Sequence, residues 1–474
     1  MDRLSFLKIT GFSLGSLVIP SLPLEMHFSM DFKSKRPPVH ERKFSSHIIE
    51  ETIREVMEVI RNPELAWLFE NCFPNTLDTT VSFELRDGKP DTFIITGDIH
   101  AMWLRDSTAQ VWPYLPFVEE DNQLKQLIKG VIFRQSELIQ IDPYANAFND
   151  GPTSSIWEQD LTEMKPELHE RKWEIDSLCY PVRLAYNYYK ITGDTTPFDE
   201  NWLKTARLIV KTFREQQKKE GPGPYRFMRI TSRATDTLPG DGYGNPVKPI
   251  GLICSSFRPS DDATIFPFLI PSNYFAVKSL RQMAQLSSEV YRNIEFSDDC
   301  NQLADEVENV LKEYSISEHP EYGPVLVYET DGYLNKLFMD DANVPSLLSL
   351  PYLGCIDVND PVYVNTRKYI LSNDNPWYFT GKSGSGIGGP HVGKNMIWPM
   401  SIIIQAMTSN NDAEILHCIK TLLNTHAQTG FMHESFHKDN PQNFTRSWFA
   451  WVNSLFGELI LKLFNEKMDL LREV

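Results

Sequence analysis

Thr96–Gln110 reads TGDIHAMWLRDSTAQ, a dense run of polar and aromatic side chains near the start of the chain's helical patterns. Gly97 punctuates the end of an alternating apolar run, and a helical pattern starts after Trp103. Within a dozen positions the stretch gathers Asp98, His100, Trp103, Arg105, Asp106 and Ser107. Arginine presents a planar fork of donors to oxygen ligands, and an indole offers an apolar face to a sugar ring or a base. Two readings fit these residues. One is a ligand-binding loop that brings two carboxylates, an arginine and an indole to one place; the other is an Arg–Asp pair capping a helix beside a core tryptophan.

On its N-terminal side, Thr79–Ile95 alternates around Asp87-Gly88, which predicts a hairpin. Before that, His47–Asn71 carries apolar residues on one helical face, with a break expected at Asn62-Pro63. On the C-terminal side, helical patterns recur near 103–115, 121–140, 173–192, 197–219, 267–289, 294–315, 340–350, 359–372, 394–409, 411–427 and 446–469. Polar turns such as Gly193-Asp194 and Asn411-Asp412 separate neighbours. Helical hairpins in this number, with polar motifs in the long connections, predict a mainly α fold: a closed (α/α)6 barrel with a few short β-hairpins in its loops. Residues 40–474 are expected to form one domain.

The formal net charge of -17 and the lack of a dense Lys/Arg cluster exclude a nucleic-acid partner. Aromatic residues make up 12% of the chain, and many stand beside polar ones, as in Trp157-Glu158 and Trp173-Glu174, which suits a carbohydrate cleft. Residues 1–25 differ from the rest. Arg3 and Lys8 precede an apolar run over 9–24 that is broken by Gly11, Gly15, Pro20 and Pro23. That run is short and punctuated for a membrane span, so a signal peptide, export, and a mature chain with no membrane span are expected. The six cysteines are scattered, with no CxxC, and their apolar settings point to buried free thiols.

The connections carry the unusual chemistry. Ile141–Asp150 (IDPYANAFND) offers Asp142, Tyr144, Asn146 and Asn149, and Glu170–Tyr180 brings Glu174 and Asp176 to the start of a helix. The Gly/Pro-rich region 221–261 is long for a connector and ends at Arg258, Asp261 and Asp262. As residues alone, Asp261-Asp262 also fit acids at a helix N-terminus. Lys382–His391 (KSGSGIGGPH) lacks the order of a phosphate loop. His433-Glu434-Ser435-Phe436-His437 matches the zinc pattern HExxH, which needs a helix and a third ligand. Gly430 and Asn440-Pro441 leave barely two helical turns there.

Read together, GDIHAMWLRDS, IDPYANAFN, ERKWEIDSLCYPVRL, FRPSDDAT, DDANVPSLLSLPYLG, GIGGPH, FMHESFH and NFTRSWFAWVNSLFG resemble glycoside hydrolase family 125. The resemblance runs from about His47 to the C-terminus in unbroken order. Members of that family are exo-acting α-1,6-mannosidases on an (α/α)6 barrel. The resemblance implies inverting hydrolysis of a terminal mannose with no cofactor and no metal, on an α-mannoside oligosaccharide. It places the general acid at Asp261 and the general base at Glu434. Inversion asks for two carboxyls roughly 6.5–9.5 Å apart, so that a water fits between base and sugar. Asp262, as an adjacent like charge, is expected to raise the acid's pKa.

For sugar recognition the expected residues are Trp103, Arg105, Asp106, Asn146, Glu174, Asp176, Arg258, Asp262, His391, Arg446 and Trp448. Arg105 and Asp106 would grip hydroxyls, Trp103 or Trp448 would stack, and Gly381–Gly389 would form part of the wall behind the terminal sugar. His100 and Val392–Asn395 depart from the family pattern, which bears on subsite contacts. A zinc peptidase and a non-catalytic mannoside-binding protein are the alternative readings.

Overall fold

The computed structural model describes residues 32–474, so the leader expected at 1–25 lies outside the described residues. Residues 34–474 form one compact unit. Its helices are α1 (His47–Val59), α2 (Pro63–Cys72), α3 (Asn75–Thr79), α4 (Leu104–Val111), α5 (Asn122–Ile141), α6 (Ile175–Thr192) and α7 (Glu200–Gln216). They continue with α8 (Ile270–Glu289), α9 (Ile294–Tyr314), α10 (Pro361–Ile370), α11 (Pro399–Met407), α12 (Asp412–Thr425), α13 (Ala450–Glu466) and α14 (Met468–Glu473). The break expected at Asn62-Pro63 separates α1 from α2, where Asn62 Oδ1 accepts from the N–H groups of Glu64 and Leu65. No helix of the described residues is long and apolar enough to cross a membrane.

The helices make an (α/α)6 barrel. In the inner ring α13 packs on α4, α4 on α6, α6 on α8, and α11 on α13. Outer helices lie behind them, α9 against α8, α12 against α11 and α5 against α6, and the outer α7 packs on α5. Burial separates the layers. Every residue of α4 is buried, whereas α7 buries one stripe, Trp202, Leu203, Ala206, Ile209, Val210 and Phe213, and exposes the other face. Amphipathic periodicity marks outer helices, because inner ones have no solvent side.

Between α8 and α11 the ring is filled by turns over 340–354, buried through 350, where the sequence predicts a helix over 340–350. Tyr180 of α6 donates to the Val344 carbonyl at 3.0 Å, and Pro351 and Tyr352 border the same hollow as Ala406 and Met407 of α11. Asp340 explains the difference. Its carboxylate accepts from the N–H groups of Leu347 at 2.8 Å and Leu348 at 3.0 Å, a local alternative to helical bonding, and Pro345 and Pro351 lack the donors a helix needs.

The layers also differ in how their helices begin. The outer α5, α7, α9, α10 and α12 start on Asp121, Asp199, Asn293, Asp360 and Asn411, each accepting from the first turn. The inner α4, α6, α8, α11 and α13 start on Trp103, Glu174, Leu269, Trp398 and Phe449, none of which makes a side-chain cap. A missing cap costs about 0.5–2 kcal/mol, so the inner starts are chosen for something other than stability.

The predicted hairpin is present as Val81–Arg86 paired with Lys89–Ile94, and α5 lies across it. Gly130 makes that approach possible, since a Cβ there would sit 2.3 Å from Thr92 Oγ1 and 2.9 Å from the Asp91 backbone. Gly130→Ala is expected to lower stability by about 1–3 kcal/mol in urea denaturation, although alanine is the better helix former. The six cysteines are free, five of them buried and Cys355 partly so.

Candidate active site

A cavity of about 160 Å³ opens at the N-terminal ends of the inner helices, lined by Thr96, Ile99, Trp103, Arg105, Asp106, Pro259, Ser260, Asp261, Asn343, His391, Trp398, Glu434, Arg446, Phe449 and Trp451. A larger open hollow of about 1020 Å³ lies between α7 and α9. It is bordered by solvated pairs such as Arg214–Asp299 and gathers no convergent chemistry. The loops before α4, α8, α11 and α13, with the first turns of α4 and α13, contribute to the smaller cavity, while the start of α6 stands behind it.

The opening stretch supplies one side. Met102–Trp103 pairs with Ala147–Phe148, which pairs in turn with Leu168–Glu170, and at the edge of this small sheet Leu104 N–H donates to the Asn146 carbonyl while Asn146 Nδ2 donates to Glu170. Arg105 Nη1 donates to Glu174 at 2.5 Å and Asp176 at 3.3 Å, and Nη2 donates to Asp261 at 3.3 Å. Asp106 lies 3.4 Å from Arg105 Nε and accepts from the Thr96 hydroxyl. Burial raises the Asp106 pKa against the pull of Arg105.

Asp261 sits in a tight turn in which its N–H donates to the Arg258 carbonyl at 2.9 Å and Arg258 N–H donates to the Asp262 carbonyl at 2.8 Å. Its φ of +67° is in the left-handed region, which Asp tolerates better than most residues. Asn146 Nδ2 donates to its carboxylate at 3.2 Å, and Lys172 Nζ donates to its carbonyl at 2.9 Å. Burial pushes the Asp261 pKa up, but Arg105 and Lys172 outweigh it and hold the group at about 2. The expected upward shift from Asp262 is therefore overturned: sequence adjacency to one carboxylate counts for less than spatial contact with two cations.

Glu434 enters from the loop before α13. The stretch that matches HExxH is not helical: Ser435–His437 is a strand, pairing with Met396–Ile397 on one side and with Asn440–Thr445 on the other. His433 stacks on Phe444 with ring centroids 3.9 Å apart and its Nδ1 meets the Arg446 carbonyl at 3.1 Å, while His437 Nδ1 accepts from Asp439 N–H. Extended chain does not put the two imidazoles on one face as a zinc helix would. Arg446, with φ +45°, stands 3.7 Å from Glu434, donates to the Thr96 carbonyl at 2.9 Å and pairs with Asp98.

Of the residues expected from the sequence, Trp103, Arg105, Asp106, Asp261, His391, Glu434 and Arg446 line the cavity. Asn146, Glu174 and Asp176 lie behind it, buried around Arg105 and Asp261. Asp262 is also behind, 3.8 Å from His391 Nδ1; burial lowers the His391 pKa, but Asp262, Asp261 and Glu434 together raise it. Arg258 and Trp448 stand outside the lining. Arg258 is buried against Glu329 at 2.6 Å, and the same carboxylate accepts from Ile265 and Phe266 N–H, so the pair fixes the loop that presents Asp261. Trp448 packs beside Gly97.

Gly381–Gly389, expected as part of the wall, is absent from the lining, which the glycine-rich stretch reaches only through His391. It forms a hairpin, Tyr378–Thr380 with Ser385–Ile387, pressed so closely on its neighbours that a Cβ at Gly388 would lie 2.1 Å from the Met396 carbonyl. His100, the departure near Arg105, is exposed. The lining residues absent from the expectation are chiefly Trp398, Phe449, Trp451 and Asn343. The Trp103 and Trp398 Nε1 atoms are buried with no acceptor among the described residues, and so are free to donate to a ligand oxygen.

A ring of parallel helices whose uncapped starts surround carboxylates, guanidinium groups and indoles is built to hold and cleave a sugar, and the fold and site together define a glycoside hydrolase. Residues 62–461 match the metal-independent alpha-mannosidases (GH125), and the chain belongs to that family. It is 42% identical over 458 residues to the Meiotically up-regulated gene 157 protein of Schizosaccharomyces pombe, covering 93% of this chain and 90% of that one. Among solved structures, a Streptococcus pneumoniae metal-independent alpha mannosidase in a non-productive substrate complex with alpha-1,6-mannobiose superposes with a TM-score of 0.86. It is 41% identical and covers 90% of this chain and all of its own. A bacterial glucoamylase complexed with acarbose, 12% identical with a TM-score of 0.54 over 88% of this chain and 58% of that one, shares the fold.

Proposed function

We propose that the protein removes mannose from the non-reducing end of α-1,6-linked mannosides with inversion, Asp261 protonating the leaving oxygen and Glu434 activating water. The observation that carries this reading is that both carboxylates border one small cavity, entering from loops far apart in sequence. A cavity of about 160 Å³ suits a single sugar ring, which is what exo action requires. The pneumococcal relative's complex with alpha-1,6-mannobiose supports the linkage. Trp103 and Trp398 offer indole N–H groups, and Arg446 and Asp106 offer charged partners for hydroxyls. Arg446 stands 3.7 Å from Glu434, a cation beside the proposed base.

The test is incubation with α-1,6-mannobiose in the presence of a chelator, with the product anomer followed by NMR. Initial release of β-mannose is expected. Initial α-mannose would contradict inversion, and dependence on added metal would contradict a mechanism carried by two carboxyls alone.

A further inference from the structure

The stretch that matches HExxH has no zinc helix, yet its first histidine is fully buried directly before the base. His433 Nδ1 meets the Arg446 carbonyl at 3.1 Å. A carbonyl can only accept, so Nδ1 carries the hydrogen and donates. Nε2 is buried with no hydrogen-bond partner among the described residues, so a second proton there would have no acceptor. The imidazole is thus a neutral donor aimed at Arg446. Its plane is fixed as well, because it lies flat on Phe444, with ring centroids 3.9 Å apart and 7° between the rings.

The acceptor of that bond belongs to a residue in an unusual conformation. Thr445 pairs with Ser435 at the end of the strand, their hydroxyls 2.6 Å apart, and at the next residue the backbone turns to φ +45°. Left-handed backbone is costly for a residue with a long side chain, so the turn needs outside support. His433 holds it at the Arg446 carbonyl, and Phe449 N–H donates to the Met432 carbonyl at 2.9 Å on its far side. The turn in turn sets the guanidinium. Arg446 Nη1 stands 3.7 Å from Glu434, and Nη2 donates to the Thr96 carbonyl at 2.9 Å and pairs with Asp98. A continued strand would send alternate side chains to opposite faces and take Arg446 out of the cavity that it lines.

We propose that His433 is a positioning residue for the general base: by holding the Arg446 carbonyl it fixes the turn that presents the guanidinium to Glu434, and so fixes where that carboxylate stands when it takes a proton from the attacking water. This rests on the assignment of Glu434 as the base. Water adds to C1 and gives its proton to Glu434, while the departing oxygen takes one from Asp261; His433 exchanges no proton in the step. It is absent from the cavity lining and acts through Arg446 and through the chain it shares with Glu434.

The experiment compares His433→Asn, His433→Gln and His433→Phe, each alone and combined with Glu434→Gln, on α-1,6-mannobiose and α-mannosyl fluoride. An asparagine amide falls where Nδ1 stands and can still donate to Arg446. A glutamine amide falls where Nε2 stands, and phenylalanine keeps the stack but has no donor. Both substrates need an activated water, whereas only mannobiose needs a protonated leaving group, so a defect of the base slows the two alike. In His433→Gln and His433→Phe, kcat is expected to fall about 10–10²-fold on both substrates, the effect of roughly 1 Å of misplacement. His433→Asn should recover most of that loss. In the Glu434→Gln background the same replacements should cost less than about twofold further, because groups that act as a unit are not additive. A loss confined to mannobiose, equal turnover in His433→Asn and His433→Gln, or the full further loss in the Glu434→Gln background would overturn the proposal. Should His433→Phe fail to fold, the contrast between asparagine and glutamine decides alone. If Glu434→Gln by itself keeps near-normal kcat, the assignment of the base fails, whatever the His433 variants do.

Discussion

Asp261→Asn and Glu434→Gln are each expected to lower kcat on an α-1,6-mannoside by about 10²–10⁴-fold, the contribution of a positioned acid or base. Both replacements keep volume and hydrogen-bonding shape, so the loss is one of proton transfer and not of packing. Asp261→Asn leaves the turn from Arg258 to Asp262 intact, because that turn is held by backbone bonds and by the Arg258–Glu329 pair. Glu434→Gln disturbs still less, since its near cation, Arg446, is already tied to Asp98 and the Thr96 carbonyl. Initial rates of mannose release, with circular dichroism to confirm unchanged folding, decide the matter. A variant that keeps near-normal kcat removes its residue from the mechanism.

Arg105→Met carries the largest expected effect on stability. One guanidinium, itself only 4% exposed, faces Glu174, Asp176, Asp261 and Asp106. Removing the cation from a buried cluster typically costs about 3–5 kcal/mol, because the partners are left uncompensated. The sign of the pH dependence follows from the same geometry. Burial raises Glu174 and Asp176, the latter to about 6, and pushes on Asp261 as well, while Arg105 lowers all three. Without it all three rise, Glu174 and Asp176 still farther above their ordinary values, so the folded variant binds more protons than folded wild type and its stability deficit grows as pH climbs. Urea denaturation at pH 4.5 and 7.5 should therefore show the deficit relative to wild type growing with pH. A deficit of equal size at both would assign the loss to packing and not to charge. Lysine is not expected to restore the protein, because a point charge cannot bridge carboxylates the way a planar fork does.

Much of this was legible in residue pattern, for identifiable reasons. Outer helices such as α7 and α9 announce themselves because one face meets water and because Asp or Asn caps their first turns. The break at Asn62-Pro63 and the Asp87-Gly88 hairpin follow from local backbone chemistry. The segment 340–350 was misread because apolar spacing says nothing about a carboxylate that bonds the backbone seven and eight residues ahead. Within the site, neighbours in sequence diverge in space. Asp261 enters the cavity while Arg258, three residues before it, turns into the core against Glu329. Phe449 and Trp451 line the cavity while Trp448, one step earlier, packs on Gly97. Trp398 gave no sign because its neighbours Ile397 and Pro399 read as plain core. The placement of Glu174 behind Asp261 depends on Arg105 reaching across from another helix, which no linear spacing encodes.

The residues bordering the cavity run from Thr96 to Trp451, and α13 both closes the inner circle and follows the loop that carries Glu434. A chain cut before Glu434 would lack the proposed base, the aromatic residues Phe449 and Trp451 of the cavity lining, and the helix that packs against both α4 and α11. Half of the chemistry is thus hung on the same stave that shuts the ring, so the cavity and the fold are completed in one step.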